Sequence, residues 1–325
     1  MITLIATVLN EGENIHDLMH TIQMQTRPAD EVLIVDGGST DNTLSVLESY
    51  RTQLPLKVLI QDGCNISEGR NTAIEHASFD IIATTDAGVR LAPDWLEKIV
   101  VPLEQDPHIG VAAGFFQADP KTVFEAALAA TTLPHVSEIK PDHFLPSSRS
   151  IAFRREIALA MGAYPEWLDY CEDLIFDLRL KKITNFAFVP DAIAHFRPRT
   201  SLRSYFKQYY LYARGDGKAD LWRKRHLIRY LTYLVALPAI FCLGILVHPI
   251  CWLAYLLGGF IYLRAPYSRL AANLALLEPK PSRLDKLYAI LSIPFLRLVG
   301  DVAKMLAYPV GWYWRLKNHP PNWKD

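Results

Sequence analysis

Two carboxylates lie where an α/β protein would carry out chemistry. Asp86 ends the motif TTDAG, directly after an apolar stretch that predicts a buried strand from Asp80 to Thr85. Parallel α/β sheets bind ligands beyond the carboxyl ends of their strands, so Asp86 is predicted at a ligand-binding edge. Asp173 follows Glu172 at a predicted helix start. An acidic residue there either complements the helix dipole or takes a proton from a substrate.

A second group of polar residues follows the predicted strand Glu31 to Val35. It begins with Asp36 in VDGGSTDNT, whose glycines permit a tight turn before the next helix. Asp36 is either a turn residue or a ligand for a nucleotide. Arg70, after Gly69 at another predicted helix start, suits a phosphate, and a solvated helix residue is the alternative. Neither GxGxxG nor GxxxxGK[ST] occurs here, so a dinucleotide fold and a P-loop are not predicted.

Short apolar strands alternate with amphipathic helices over this part of the chain. Strands are predicted at 2–8, 31–35, 57–61 and 80–85, with helices at 14–25 and 68–76. Such alternation predicts an α/β fold with a mostly parallel sheet and helices on both faces. The apolar Met1 to Leu9 lacks a basic flank and is predicted as the first strand, not a signal peptide.

Four sequence blocks make a specific resemblance. ATVLNEGENI, VDGGSTDNT, GRNTAIEHA and TTDAGVRLAPDWL resemble, in order and spacing, the inverting family 2 glycosyltransferases. The block from Ser150 to Leu180, which contains Glu172 and Asp173, resembles the acceptor side of the same family. The resemblance covers about the first two-thirds of the chain and implies a GT-A fold that binds a nucleotide-diphosphate sugar.

The resemblance implies a role for several residues on the donor side. The base and ribose end is assigned to Thr7, Glu11 and Asp36, the phosphates to Arg70, and the ribose and metal to Asp86. A divalent ion, Mn²⁺ or Mg²⁺, would bridge the diphosphate. The family's Asp-X-Asp is replaced here by Asp-Ala-Gly, which leaves one metal carboxylate, so the ion is expected to bind weakly without donor. His195 is either a further metal ligand or a core histidine.

The acceptor side has one catalytic candidate and several binding candidates. By resemblance, Asp173 is the catalytic base, and Glu172 has an orienting or structural role. Acceptor or gating roles are predicted for Ser148, Arg149, Trp167, Gln208 and Arg214. Each has an alternative: an ordinary capped loop for Ser148 and Arg149, core packing for Trp167, and a basic helix on a membrane surface for the segment 206–222.

The C-terminal third is apolar enough to contact a membrane. From Tyr230 to Leu263 the only potentially charged residue is His248, and basic residues flank the run on both sides. We predict two helices, 227–247 and 250–264, as a membrane hairpin that keeps the catalytic domain in the cytoplasm. An interfacial helix is predicted within 287–314. The alternative is that both stretches are buried helices of a soluble domain.

Composition narrows the possible partners. The 34 basic and 34 acidic residues cancel, so no global charge favours nucleic acid. The four cysteines show no metal-binding spacing and are expected to be reduced thiols.

The predicted organisation is a catalytic domain at 1–220 and a membrane region at 221–325. The predicted function is inverting transfer of a sugar from a nucleotide-diphosphate donor to a lipid-linked or polysaccharide acceptor. The first alternative is a catalytically degenerate membrane scaffold that binds nucleotide sugar, favoured by the missing second carboxylate. A nucleotidyltransferase is less consistent with the sequence, which lacks a basic glycine-rich N-terminal loop.

Overall fold

The computed structural model describes residues 1–324 and divides them between two compact units. The first comprises Met1–Gln117, Val136–Arg197 and the extreme C-terminus; the second comprises Ala118–His135 and Pro198–Pro321. These units differ from the predicted segments 1–220 and 221–325, whose last residue lies outside the described chain. The helix that precedes position 220 packs with the C-terminal helices, so it belongs to the second unit. The functional boundary at 220 stays a prediction.

An eight-stranded mixed sheet forms the centre of the first unit, with strand order β3-β2-β1-β4-β7-β6-β8-β5. The strands are β1 (Ile2–Val8), β2 (Glu31–Asp36), β3 (Leu56–Ile60), β4 (Ile81–Thr84), β5 (Val89–Leu91), β6 (Ile109–Ala118), β7 (Ile151–Arg154) and β8 (Asn185–Phe196). Strands β1 to β4 pair in parallel, as predicted. Strand β7 pairs antiparallel with β4 and with β6, and β5 pairs antiparallel with β8, so the sheet is mixed instead of mostly parallel.

Helices cover both faces of this sheet, as the sequence predicts. They are α1 (Ile15–Gln23), α2 (Thr43–Ser49), α3 (Ile66–His76), α4 (Trp95–Gln105), α6 (Arg155–Ala160) and α7 (Glu172–Leu180). Alternate residues of β1 point to opposite faces: Leu4 joins the core with α1 and α4, and Ile5 joins the core with α3 and α7. The buried carboxyl ends of β1, β2 and β4 therefore meet at one edge of the sheet.

The second unit is helical. Its helices are α5 (Val123–Thr132), α8 (Leu202–Ala219), α9 (Arg223–Leu231), α10 (Leu237–Leu246), α11 (Leu253–Ala275) and α12 (Arg283–Asn318). Helices α9 and α10 join through a π-helical turn, Thr232–Ala236, into one helix from Arg223 to Leu246. Among residues 1–324 this is the one helix long and apolar enough to cross a membrane. A second helix follows, as the predicted hairpin requires, but it extends to Ala275 instead of ending at residue 264.

Two predictions for this region need correction. The segment 206–222, predicted as a gating or acceptor loop, is mostly α8, because a capping box at Ser201 starts the helix and it runs unbroken to Ala219. The polar face of α12, predicted as interfacial, turns into the helical unit: Asp301 is 7% exposed and accepts a hydrogen bond from Arg229 Nε at 2.8 Å. Burial of a charged side chain requires such a partner.

Candidate active site

A buried arginine joins the two carboxylate regions that the sequence singled out. Arg70 Nη2 donates to Asp86 Oδ1 at 2.7 Å, and Arg70 Nη1 donates to Glu172 Oε1 at 2.8 Å. The guanidinium is 2% exposed, so the forked pair is shielded from water and its hydrogen bonds are strong. The end of β4 and the start of α7 are thus held together by a single side chain.

The local sequence explains why Arg70 reaches this position. Helix α3 begins at a capping box in which Asn65 accepts from Ser67 N and Glu68 N, while the Glu68 carboxylate accepts from Asn65 N. Gly69 lies against β1, where a Cβ atom would approach Thr7 Cγ2 to 2.9 Å. The absence of a side chain at Gly69 lets the helix pack close to β1 and directs Arg70 inward.

Tyr164 is a second buried anchor of the site, and the sequence reasoning missed it. Its ring stacks on Phe176 of α7 with centroids 4.1 Å apart, and the Arg70 guanidinium lies over it, 5.1 Å from the centroid. Asn71 holds its backbone, donating to Tyr164 O at 2.9 Å and accepting from Tyr164 N at 2.8 Å. The only sequence signal was its place in the block from Ser150 to Leu180, which resembles the acceptor side of the family, since a lone tyrosine in a loop predicts nothing by itself.

Arg149 contacts Asp86 from the opposite side. Its Nε lies 3.4 Å from Asp86 Oδ2, and its guanidinium lies over the Phe196 ring, 4.6 Å from the centroid. Thr85 Oγ1 donates to the Arg149 carbonyl at 3.1 Å, which fixes the loop beside the end of β4. Asp86 and Arg149 are both about one-fifth exposed, at 22% and 21%, so a ligand can reach this pair.

Helix α7 contains three carboxyl groups, and burial raises the pKa of each of them. Burial and the neighbouring Asp173 raise the pKa of Glu172 to about 7, although the Arg70 guanidinium opposes the shift. Burial raises the pKa of Asp173 above its usual value, against the effect of Arg70 and Arg149. Asp177 lies one turn further on, with Oδ2 buried and without a hydrogen-bond partner among the described residues. Burial raises the pKa of Asp177 well above its usual value.

The donor-side residues lie at the ends of β1 and β2. Asp36 is fully buried, and its Oδ1 accepts from Gly38 N at 2.9 Å and from Ser39 N at 2.7 Å. Its Oδ2 is buried and has no hydrogen-bond partner within residues 1–324. Burial, then the charges of Asp41 and Asp86, raise the pKa of Glu11. Thr7 lies against Gly69 of α3, as described above.

These residues do not form a preformed metal centre. Over residues 1–324 no group of three or more His, Cys, Asp or Glu side chains is placed to hold an ion. Both carboxylate oxygens of Asp86 already face a guanidinium group. His195 lies on β8 opposite Arg90 of β5, in an antiparallel pair at the edge of the sheet. A hard divalent cation prefers several oxygen ligands, and the chain alone offers too few here.

The structure gathers some of the predicted residues and leaves others apart. Arg70, Asp86, Arg149, Glu172 and Asp173 form one charged group. Ser148 is 2% exposed and hydrogen-bonds Tyr164 Oη at 3.0 Å, so it supports the site from beneath. Trp167 is half-buried in the loop before α7. Gln208 and Arg214 lie on α8, in the helical unit; Gln208 Nε2 donates to Tyr212 Oη at 2.8 Å.

Comparison with known proteins identifies this part of the chain. Residues 3–158 match the family model described as Glycosyl transferase family 2. These residues belong to glycosyl transferase family 2. The glycosyltransferase segment contains Arg70, Asp86 and Arg149, and α7 follows directly after it.

Relatives extend the likeness over different lengths. The succinoglycan biosynthesis protein ExoA of Rhizobium meliloti is 26% identical over an alignment of 298 residues, which covers 82% of this chain and 88% of ExoA. Glycosyltransferase AglE of Haloferax volcanii is 37% identical over 101 residues, 30% of this chain and 33% of AglE. The chain therefore covers only a third of AglE, whereas the likeness to ExoA extends into the helical unit.

A solved structure supports the fold. The mannosyltransferase PcManGT of Pyrobaculum calidifontis, determined with GDP-Man and Mn²⁺, superposes with a TM-score of 0.55 at 19% identity, covering 98% of this chain and 87% of PcManGT. The likeness confirms the GT-A fold predicted from the sequence blocks. The chain thus has a relative named for succinoglycan biosynthesis and a structural neighbour that was determined with a nucleotide sugar.

Proposed function

We propose that this glycosyltransferase moves a sugar from a nucleotide-diphosphate donor to an acceptor hydroxyl with inversion at the anomeric carbon. The observation that carries the proposal is the Arg70 bridge, which holds Asp86 at the donor edge and Glu172 beside Asp173 within one buried network. Inverting transfer needs a donor site and a base on opposite sides of the anomeric carbon. A single side chain that ties both regions together supports that arrangement.

The donor's nucleoside would lie along the ends of β1 and β2. Asp36 Oδ2 is a buried acceptor without a donor, and a nucleobase N–H or a ribose hydroxyl would satisfy it. Thr7 and Glu11, at the end of β1, would line the same pocket. Glu11, with its raised pKa, suits a hydrogen bond to a neutral hydroxyl or N–H better than contact with a phosphate.

The sequence predicts that Arg70 contacts the phosphates of the donor, but we assign different roles to Arg70 and Arg149. Arg70 is buried, and both of its terminal nitrogens donate to carboxylates, so it would act as the brace of the site. Arg149 lies at the same carboxylate and is 21% exposed, so a diphosphate bound there would contact its guanidinium. It would neutralise charge that develops on the leaving nucleoside diphosphate.

Asp173 would act as the base. The acceptor oxygen attacks the anomeric carbon, the bond from that carbon to the diphosphate oxygen breaks, and the hydroxyl proton passes to the Asp173 carboxylate. Burial raises the pKa of Asp173, which makes its carboxylate a stronger proton acceptor than an exposed aspartate. Glu172 would orient Asp173 through its bond to Arg70.

The metal stays a prediction from the resemblance, and no step above depends on it. Because Asp86 already faces two guanidinium groups, an ion is expected to arrive with the donor diphosphate and to take Asp86 as a ligand. His195 is a second candidate ligand. The ion would neutralise the negative charge of the diphosphate.

For the acceptor, we propose a lipid-linked or membrane-proximal glycan. Support comes from the helix Arg223–Leu246, whose apolar side chains Leu234, Phe241 and Leu246 are exposed, and from ExoA, which is named for succinoglycan biosynthesis. A catalytic unit on the cytoplasmic face of a membrane would meet such an acceptor at the lipid surface.

The test is donor turnover by the full chain in detergent, with nucleotide sugars screened with and without Mn²⁺. Asp173→Asn is expected to lose turnover while it keeps donor binding, and Asp86→Ala is expected to lose both. Asp191→Asn, at an exposed position on β8, is the matched control and should behave as wild type. Donor binding without turnover in wild type, even with membrane lipid extract as acceptor, would favour the alternative of a nucleotide-sugar-binding scaffold.

A further inference from the structure

A cluster of cations inside the helical unit has too few carboxylates to balance it. Arg229 of α9 and Lys304 of α12 face Asp301, which accepts from Arg229 Nε at 2.8 Å and lies 3.8 Å from Lys304 Nζ. Arg297 of α12 lies close enough to Lys304 for the two charges to repel each other. A second carboxylate, Asp216, also acts on Lys304 through its charge, and it lies 3.1 Å from His226 Nε2. The cluster thus contains three cations and two carboxylates.

Arg297 is the cation that this cluster leaves unsatisfied. Its guanidinium lies over the Tyr262 ring, 4.3 Å from the centroid, and Nε is buried without an acceptor. Within residues 1–324 no carboxylate or carbonyl pairs with it. The Asp301 oxygens accept instead from Arg229, Tyr262 and Tyr233. A buried guanidinium nitrogen without an acceptor is costly and calls for an anion.

Lys304 lies in the same electrostatic environment. Its ammonium sits over the Tyr209 ring, 4.8 Å from the centroid, and its side chain is 24% exposed. Burial, with the repulsion of Arg229 and Arg297 against the attraction of Asp301, lowers the pKa of Lys304 to about 8. An additional anion beside Lys304 and Arg297 would relieve this repulsion.

The surface next to the cluster is apolar. Phe260 and Ile261, immediately before Tyr262, are 70% and 66% exposed, and Leu234, immediately after Tyr233, is 64% exposed. The helices that supply the tyrosines of the cluster therefore present hydrocarbon on their outer faces. A ligand that satisfies both features has an anionic headgroup and an apolar chain.

We propose that Arg297 and Lys304 bind the phosphate headgroup of a lipid whose hydrocarbon chain lies along the exposed apolar faces of α10 and α11. Arginine suits this role because its fork donates two hydrogen bonds to phosphate oxygens. The site deepens the proposed function, on which it rests, by naming the anchor of the acceptor: a glycan linked to lipid through phosphate or diphosphate, whose sugar hydroxyl would receive the transferred sugar.

The experiment measures binding of a long-chain isoprenyl phosphate to the full chain in neutral detergent by microscale thermophoresis. The alcohol of the same chain and inorganic phosphate are the comparison ligands. The phosphate lipid is expected to bind at least about tenfold more tightly than either, since it alone uses both the cations and the apolar surface. Equal binding of the alcohol would overturn the headgroup site, and equal binding of inorganic phosphate would overturn the lipid.

Variants decide whether these two residues form the site. Arg297→Gln and Lys304→Gln are each expected to weaken binding of the phosphate lipid about tenfold, and Arg297→Lys to recover part of the loss. Arg283→Gln and Lys286→Gln, exposed at the start of the same helix, are the matched controls and should bind as wild type. Unchanged binding by both Arg297→Gln and Lys304→Gln would refute the site.

Failure here is distinguishable from failure of the proposed function. Lipid binding is measured without donor, and donor turnover is measured separately with the Asp173→Asn control. Thermal unfolding of each variant establishes that a loss of binding does not come from a loss of fold; Arg297→Lys, which keeps the charge, covers the case in which Arg297→Gln is unstable.

Discussion

Replacing Arg70 by glutamine should destabilise the glycosyltransferase unit severely. The change removes one buried cation from between Asp86 and Glu172, which lie 2.7 and 2.8 Å from it and are 22% and 10% exposed. Removal of one partner from a buried ion pair costs about 3–5 kcal/mol, because the remaining charge is left unpaired. For a domain of roughly 150–250 residues, that loss lowers the melting temperature by about 6–20 °C.

The measurement is thermal unfolding followed by intrinsic tryptophan fluorescence, to which the fully buried Trp95 of this unit contributes. Arg51→Gln is the matched control, because Arg51 pairs with Glu48 at 2.6 Å on the surface, with both side chains about half exposed or more. An exposed pair of this kind contributes about 0–1 kcal/mol, so its loss should barely change the melting temperature. Arg70→Lys keeps the charge but loses the fork and should lie between wild type and Arg70→Gln.

The pH dependence supplies a second check. Burial and Asp173 raise the pKa of Glu172 to about 7, above its unfolded value of 4.5, so the folded state favours the protonated form. Such a group supports the fold at low pH, and that contribution is lost as pH rises through the folded pKa. Without Arg70 the pKa rises further, so the deficit of Arg70→Gln should shrink below pH 7. If the loss of melting temperature in Arg70→Gln were small at pH 8, or grew on acidification, Arg70 would not stabilise the fold through its pairs with Asp86 and Glu172.

Three further predictions follow from the same unit. Gly69→Ala should cost about 1–3 kcal/mol in thermal unfolding, because its Cβ would approach Thr7 Cγ2 to 2.9 Å, and Thr7→Ala should rescue it; absence of a loss would show that α3 can shift. The melting temperature of Asp177→Asn should rise relative to wild type as pH increases, because burial raises the Asp177 pKa well above its usual value and ionisation then costs the wild type stability that the neutral amide keeps; a relative melting temperature that falls with increasing pH would contradict this. Turnover should fall on acidification at a pH above the ordinary aspartate pKa of 3.8, because Asp173 must be deprotonated and burial raises its pKa; an acid limb at or below 3.8 would contradict the assignment of the base.

The parallel half of the sheet was predictable because its strands are short, apolar and separated by amphipathic helices. Strands β1, β2 and β4 lie within a residue or so of the predicted bounds, and Asp86 follows β4 as expected. The place of strand β7 beside β4 was not predictable. That pairing joins residues about 70 positions apart, such as Ile82 and Phe153, and depends on tertiary contacts that no local pattern contains.

The sequence indicated which residues belong to the site better than it indicated which of them contact one another. Arg70 was identified by its place after Gly69, yet its contact with Glu172 spans 102 positions. The contact needs the turn before α7, where Cys171 adopts a left-handed conformation with φ 67°. The prediction that α12 is interfacial was wrong for a similar reason. A periodic polar stripe predicts that its side chains lie on one face of the helix. The neighbouring helices decide whether that face contacts water or packs into a buried network.

The contact between α8 and α12 has a mechanical consequence. A Cβ at Gly217 would lie 2.4 Å from Tyr308 O, one at Gly311 would lie 2.0 Å from Arg214 O, and one at Gly300 would lie 2.2 Å from Tyr205 Oη. The backbones of the two helices are thus in direct contact at Gly217 and Gly311. At Gly300 the Tyr205 hydroxyl occupies the space that a side chain would take. If one helix slid along the other, side chains would move into positions where only the hydrogen atom of a glycine fits. The axial register of α8 against α12 is therefore fixed, and we expect the two helices to move together as one rigid body.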